Sequence, residues 1–434
     1  MAKKKPEKPR HELTRRQRSR WQQQKRRQRI ILSVAILIVV AVLSVIGIGV
    51  YKGWYVKDYK PLHETVIEVN DTKIDMEDYI TMLEYMALQY ESSYGINVTA
   101  ELMSFLTESA EMAVEQNELI RQAAMELGIS VSDGEVDEQL NSSDPPLSKD
   151  DRDLVRTQLI VQRLQDEYFE QQVPTYAEQR YIMAMFLESE AQANEVKARI
   201  EAGEDFTTLA GELSLDAVTK GAEGDLGWRP QDVLPLMIES PILEESAFNC
   251  EVGVLSQPIY EETKTKAVGY WLIEVISVDD TAEPTEAQVM MMLLGSEQEA
   301  NDIRARLEAG EDFAELATEF SLHPTSSAEG GKMTLSPGTM TSAFDEFVFD
   351  PEVELETLSS PIRDVATNTD GGYWLIKVIE ADDNRQIDDE NRDMLKNDAL
   401  NKWVEGLMED PENKVVSYLD DEKTQWAISY ITGG

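Results

Sequence analysis

The sequence predicts an α+β chain: a helical region followed by two tandem α+β domains, all preceded by one transmembrane helix. Three observations carry this expectation. A charge-free stretch of 21 residues follows a strongly basic start. Amphipathic helical patterning dominates residues 75–171. Two long segments then repeat one another at an offset of 107 residues.

The charge is divided along the chain. Over 434 residues, 83 Asp+Glu oppose 40 Lys+Arg, a formal net charge of −43. Residues 1–29 hold 13 Lys/Arg and only Glu7 and Glu12, a net of +11. Residues 51–434 hold the remaining 27 Lys/Arg against 81 Asp/Glu, a net of −54. Between them runs Ile30–Val50, IILSVAILIVVAVLSVIGIGV. As a helix it would extend about 31 Å, the thickness of a bilayer core. Trp54 and Tyr55 follow, where amphipathic rings suit a membrane interface. A cleaved signal peptide is the rival, but its apolar run is shorter, its basic region is shorter, and it ends in an A-x-A-like site that this segment lacks. The basic side of an anchor stays in the cytoplasm. The sequence therefore predicts a single-pass cell-membrane protein with residues 1–29 cytoplasmic and the bulk extracytoplasmic.

The same counts exclude several functions. A pI near 4.3 argues against a nucleic-acid partner, which needs a basic face. One Cys cannot close an intramolecular disulfide, and three His cannot build a multi-His metal site. No metal or cofactor is called for. Hydrophobic content of 42% is enough for packed cores, so the acidity does not mean disorder.

The helical region spans 64–175. Val66–Asn70 reads as a strand, and a helix starts near Asp75. A long amphipathic helix covers Thr99–Leu127 and stops at Gly128. A further helix over Lys149–Gln171 precedes Pro174.

The repeat sets the remaining architecture. KARIEAGEDFTTLAGELSL (Lys197–Leu215) matches RARLEAGEDFAELATEFSL (Arg304–Leu322). Upstream, Ile182–Ala193 matches Val289–Ala300 at the same offset. Downstream, GYWLIEV (Gly269–Val275) matches GYWLIKV (Gly372–Val378) at an offset of 103. Two copies follow, 176–280 and 284–382, too long for solenoid units and of the right size for globular domains. Each opens with a buried strand (IMAMFL, VMMMLL) and continues with two helices. Each then passes a glycine-bearing loop and is expected to close with its own apolar strand. The tail, 386–420, carries Leu395, Leu400, Trp403 and Leu407 on one helix and then a short apolar segment at Val415–Leu419.

Taken together, the GE-x-F-x-x-L-A helix, the S-x-D at Ser214–Asp216, GDLGW at Gly224–Trp228 and the terminal GY-x-[LI]-I-x-V resemble the parvulin (PpiC-type) peptidyl-prolyl isomerase domain. Gly330-Gly331, Met340, Phe344 and Phe349 match the second copy to the same family. The helices of 64–175 resemble the chaperone region of SurA- and PrsA-type folding factors, in which the tail returns to pack on those helices. The resemblance implies a membrane-anchored folding factor whose partners are unfolded or extended exported polypeptides containing proline.

Rotation about an X–Pro bond meets a barrier of roughly 18–20 kcal/mol and breaks no bond. A catalyst must hold the proline in an apolar slot and strip water from the carbonyl. By resemblance, that slot is lined by Leu226, Leu234 and Phe248 in the first copy and by Met333, Met340 and Phe344 in the second. The family floor holds two His, and here both are replaced. Ala184 and Met291 stand at the first position, Trp271 and Trp374 at the second. Asp216 and His323 occupy the third polar position and are the candidate catalytic groups; Trp271 and Trp374 are candidate substrate contacts. Two classes stay open: an isomerase acting on exported chains, or a chaperone using degenerate parvulin-like domains as peptide-binding modules or an assembly scaffold. The oligomeric state is not legible.

Overall fold

The computed structural model describes residues 40, 42–46, 48–143, 147–279, 281 and 283–433. The basic tail and most of Ile30–Val50 lie outside these residues, so the expected anchor is not among the elements described. Among the described residues no helix is long and apolar enough to cross a membrane.

The chain divides into two compact units, residues up to Leu164 with those from Lys402 onward, and Gln165–Asn401. In the first unit, strands β1 (Thr65–Val69) and β2 (Thr72–Asp75) lead into helices α1 (Met76–Tyr94) and α2 (Ala100–Glu126). Asp75 starts α1 by accepting from the Glu77 and Asp78 amides, and Gly95, at φ 66°, ends it in the left-handed conformation. Thr99 caps α2. The tail supplies Val415–Ser417, which pairs antiparallel with β1 in the order tail–β1–β2. Val66, Ile67, Tyr79, Leu83, Met103 and Leu106 form the core, against which Leu407, Val415, Leu419 and Trp426 pack.

The second unit contains both repeats, and here the structure departs from the sequence reading. In the first repeat, β3 (Tyr176–Leu187), β4 (Asp225–Pro230) and β5 (Ile259–Lys266) belong to one sheet, and β6 (Gly269–Asp279) is its closing strand in sequence. The second repeat supplies β7 (Glu286–Leu294), β8 (Lys332–Leu335), β9 (Ile362–Asp364) and its closing strand β10 (Thr369–Gln386). The two sheets have the orders β4-β3-β10-β5 and β8-β7-β6-β9. Each sheet is therefore closed by the other repeat's final strand. The expectation that 176–280 and 284–382 each close on themselves is corrected to two interleaved domains. The first domain comprises 176–266 and 369–386; the second comprises 269–364.

The exchange preserves register. Trp374 pairs with Phe186 and Ile259, as Trp271 pairs with Leu293 and Ile362. It is also reciprocal in its hydrogen bonds. Ser256 Oγ accepts from the Ile376 amide at 3.0 Å, and Ser359 Oγ accepts from the Ile273 amide at 2.9 Å. Two short links carry it, residues 267–268 and 365–368. Thr369 Oγ1 donates to the Val268 carbonyl at 2.6 Å and ties the links together. Gly372 is required at this crossing, since a Cβ there would lie 2.6 Å from the Leu187 carbonyl oxygen.

The helices repeat as read. Ser189 and Ser296 cap Glu190–Glu201 and Glu297–Glu308, and Asp205 and Asp312 cap Phe206–Leu213 and Phe313–Phe320.

Candidate functional site

In each domain the apolar site residues converge on the exchanged tryptophan. Leu226, Leu234, Ile238, Leu243 and Phe248 share one cluster with Ala184, Phe186 and Trp374. Met333, Met340 and Phe344 share another with Met291 and Trp271. The sequence placed Asp216 and Trp271 in one copy and His323 and Trp374 in the other. The structure re-pairs them: Asp216 stands with Trp374, and His323 with Trp271.

Both tryptophans are buried, Trp271 at 1% and Trp374 at 0% exposure. Trp271 lies edge-on to Phe344 at 5.2 Å between ring centroids and to His323 at 5.7 Å. Trp374 lies 4.7 Å from Phe186. The indoles thus fill the floor positions as packed aromatics. Their N–H groups differ. Trp271 Nε1 donates to Asp364 Oδ2 at 2.9 Å, whereas buried Trp374 Nε1 has no hydrogen-bond partner.

Asp216 and His323 begin equivalent short helices. Asp216 Oδ1 accepts from the Thr219 amide at 2.8 Å, and His323 Nδ1 accepts from the Ser326 amide at 3.1 Å. Each is a helix cap at the edge of the floor. Burial holds the His323 imidazole below its ordinary pKa, which favours the neutral ring that this cap requires. Asp216 is also paired with Lys264, Nζ to Oδ2 at 2.9 Å. The same ammonium donates to the Ile238 carbonyl at 2.7 Å and sits 5.7 Å from the Trp374 ring centroid.

Counted from the helix caps Ser240 and Thr341, Leu243 stands where Phe344 stands, and Phe248 where Phe349 stands. Leu243 is fully buried, and Phe248 is half-buried under Arg180. The additional helix Leu234–Ile238 displaces the sequence alignment here.

Sequence reasoning missed Lys264, which has no counterpart in the second repeat. It also missed the acids Glu261 and Asp364, which the 103-residue offset does match. Glu261 Oε2 accepts from Ser240 Oγ at 2.6 Å, and Asp364 accepts from Thr341 Oγ1. Among the described residues, no group of three or more His, Cys, Asp or Glu is placed to hold a metal ion.

Each domain thus packs an apolar cluster beside a polar rim and brings no two imidazoles together, and the free thiol of Cys250 packs against the first cluster. Family comparison follows the repeats as they run in sequence. The SurA-like N-terminal domain description matches residues 20–183, and the PPIC-type PPIASE domain matches 186–277 and 287–380. The chain is 29% identical over 232 residues to a foldase protein PrsA of Caldanaerobacter subterraneus subsp. tengcongensis, covering 49% of this chain and 72% of that one. It is 29% identical over 240 residues to a chaperone SurA of Chromohalobacter salexigens, covering 51% of this chain and 50% of that one. It thus spans about half the length of that SurA relative. A solved PrsA structure from Bacillus anthracis aligns at 13% identity and a TM-score of 0.28, covering 73% of this chain and 94% of that one. With a SurA-like region ahead of two PPIC-type domains, the chain belongs to the SurA/PrsA-type parvulin foldase and chaperone family.

Proposed function

We propose that this chain is a membrane-anchored, extracytoplasmic folding factor that holds unfolded exported polypeptides and isomerises X–Pro bonds only weakly. The observation that carries the reading is the floor itself: a buried indole and an Ala or Met occupy the positions of the family's His pair. Removing one preorganised hydrogen-bond donor costs about 10²–10³ in rate at an oxyanion hole. The cost is smaller where little charge develops, as in amide rotation. Holding a chain needs only exposed apolar surface. The anchor and the outward orientation rest on the charge-free run and the +11 segment before it.

The retained apolar set around Trp271 favours a second reading, a working isomerase. One comparison separates the two. The full chain is assayed for X–Pro isomerisation and for suppression of client aggregation, beside the variants Phe344→Ala and Met340→Ala. The proposal expects marked suppression with little rate acceleration. Fast turnover that both variants abolish while suppression is unchanged would establish the enzyme reading instead.

A further inference from the structure

We infer that the outer face of the α1–α2 hairpin is a docking surface for polypeptide segments that combine apolar side chains with Lys or Arg. This rests on the chaperone reading above and names the client class.

Phe105 and Met112 lie seven residues apart on α2 and so share one face. They are 70% and 53% exposed. Tyr90 of α1 meets Phe105 edge-on at 6.4 Å and Tyr94 at 5.3 Å, extending the apolar strip across both helices. Aromatic and thioether groups of this kind adapt to varied apolar partners. Glu101 and Glu108 stand four residues before and three residues after Phe105, and Glu115 stands three after Met112. At helical spacing these carboxylates border the strip.

The border is uncompensated. Residues 76–126 contain ten Asp/Glu and a single basic residue, Arg121. Arg121 is already engaged by Glu118 at 2.6 Å and by Asp153 at 3.5 Å. An anionic lipid surface, or a second copy of this face, would meet like charge. A cationic apolar segment meets complementary charge and an apolar seat together.

The test uses the full chain and two fluorescein-labelled 20-residue peptides of Leu, Phe and Ser, one with four Lys and the other with four Glu in their place. At 50 mM salt the Lys peptide is expected to bind at least about tenfold more tightly, and at 0.5 M salt the preference should shrink to about threefold or less. Glu101→Gln, Glu108→Gln and Glu115→Gln combined should reduce the preference similarly. Phe105→Ser with Met112→Ser should weaken both peptides. The inference is overturned by equal binding of the two peptides or by full preference in the Gln variant. It is also overturned by unchanged binding in the Ser variant, or by a dimer of the chain that Phe105→Ser dissolves. Peptide binding absent while aggregation suppression persists overturns this inference alone; absence of both overturns the chaperone reading as well.

Discussion

Trp271 donates its indole N–H to Asp364 across the two repeats, at 2.9 Å. The tryptophan comes from the closing strand of the first repeat, and the aspartate from the strand before last of the second. The bond is therefore made only by the exchanged arrangement. Its absence at Trp374 makes the two sites unequal and gives a direct energetic expectation. Trp271→Phe and Trp374→Phe remove similar volume, but only the first deprives a buried carboxylate of a donor. Trp271→Phe should cost about 1.5–3 kcal/mol more, read as the difference in denaturant midpoints at constant slope. Equal losses would mean that the Asp364 bond contributes nothing net.

Asp216 and Lys264 form a nearly enclosed ion pair beside Trp374, with side chains 7% and 12% exposed. Removing one partner strands the other. Lys264→Met should destabilise the first domain by about 3 kcal/mol. Lys264→Met with Asp216→Asn should recover much of that loss, because Asn still caps the helix. A double variant no more stable than the single would count against the pairing.

The helical unit carries its own pH dependence. Asp78 is exposed as a residue, but desolvation of its carboxyl by the surrounding chain, then the neighbouring charges of Asp75 and Asp153, push that carboxyl up to about 6. Its ordinary value is about 3.9. A folded-state pKa above the unfolded one means that protonation favours the folded state. This contribution is fully present below about pH 4 and is lost as pH rises through about 6. Asp78→Asn should raise stability at pH 7.5 and flatten the decline between pH 4 and 6, as followed by thermal unfolding across that range. A steeper decline in the variant would reverse the assigned sign.

How far the sequence reached can be judged on particular residues. The two opening strands and the two helices that follow each of them were legible because their apolar spacing is a local signal. The partner of each closing strand was not. Gly269–Ile273 and Gly372–Ile376 are identical, and both strands present the same residues in the same register. Hydrophobic pattern fixes register but cannot choose between two equal strands. The links at 267–268 and 365–368 carry the chain from one sheet to the other. The match of Phe248 to Phe349 was hidden for a simpler reason: the helix Leu234–Ile238 has no counterpart in the second repeat, so spacing alone could not align the two. Lys264, unrepeated and flanked by threonines on a strand, carries no local sign of its contact with Asp216.

Each floor is built by both repeats, and cysteine pairing reads this out directly. Met183 faces Lys377 across β3 and β10, and Glu274 is the residue that would face Met183 if the first repeat closed on itself. Both comparisons are made in a Cys250→Ser background under mild oxidation, with cross-link formation read by gel mobility. The account expects Met183→Cys with Lys377→Cys to form a disulfide efficiently, and Met183→Cys with Glu274→Cys to stay reduced. Efficient cross-linking of the second pair, with the first remaining reduced, would contradict the exchange and return each repeat to a self-contained domain.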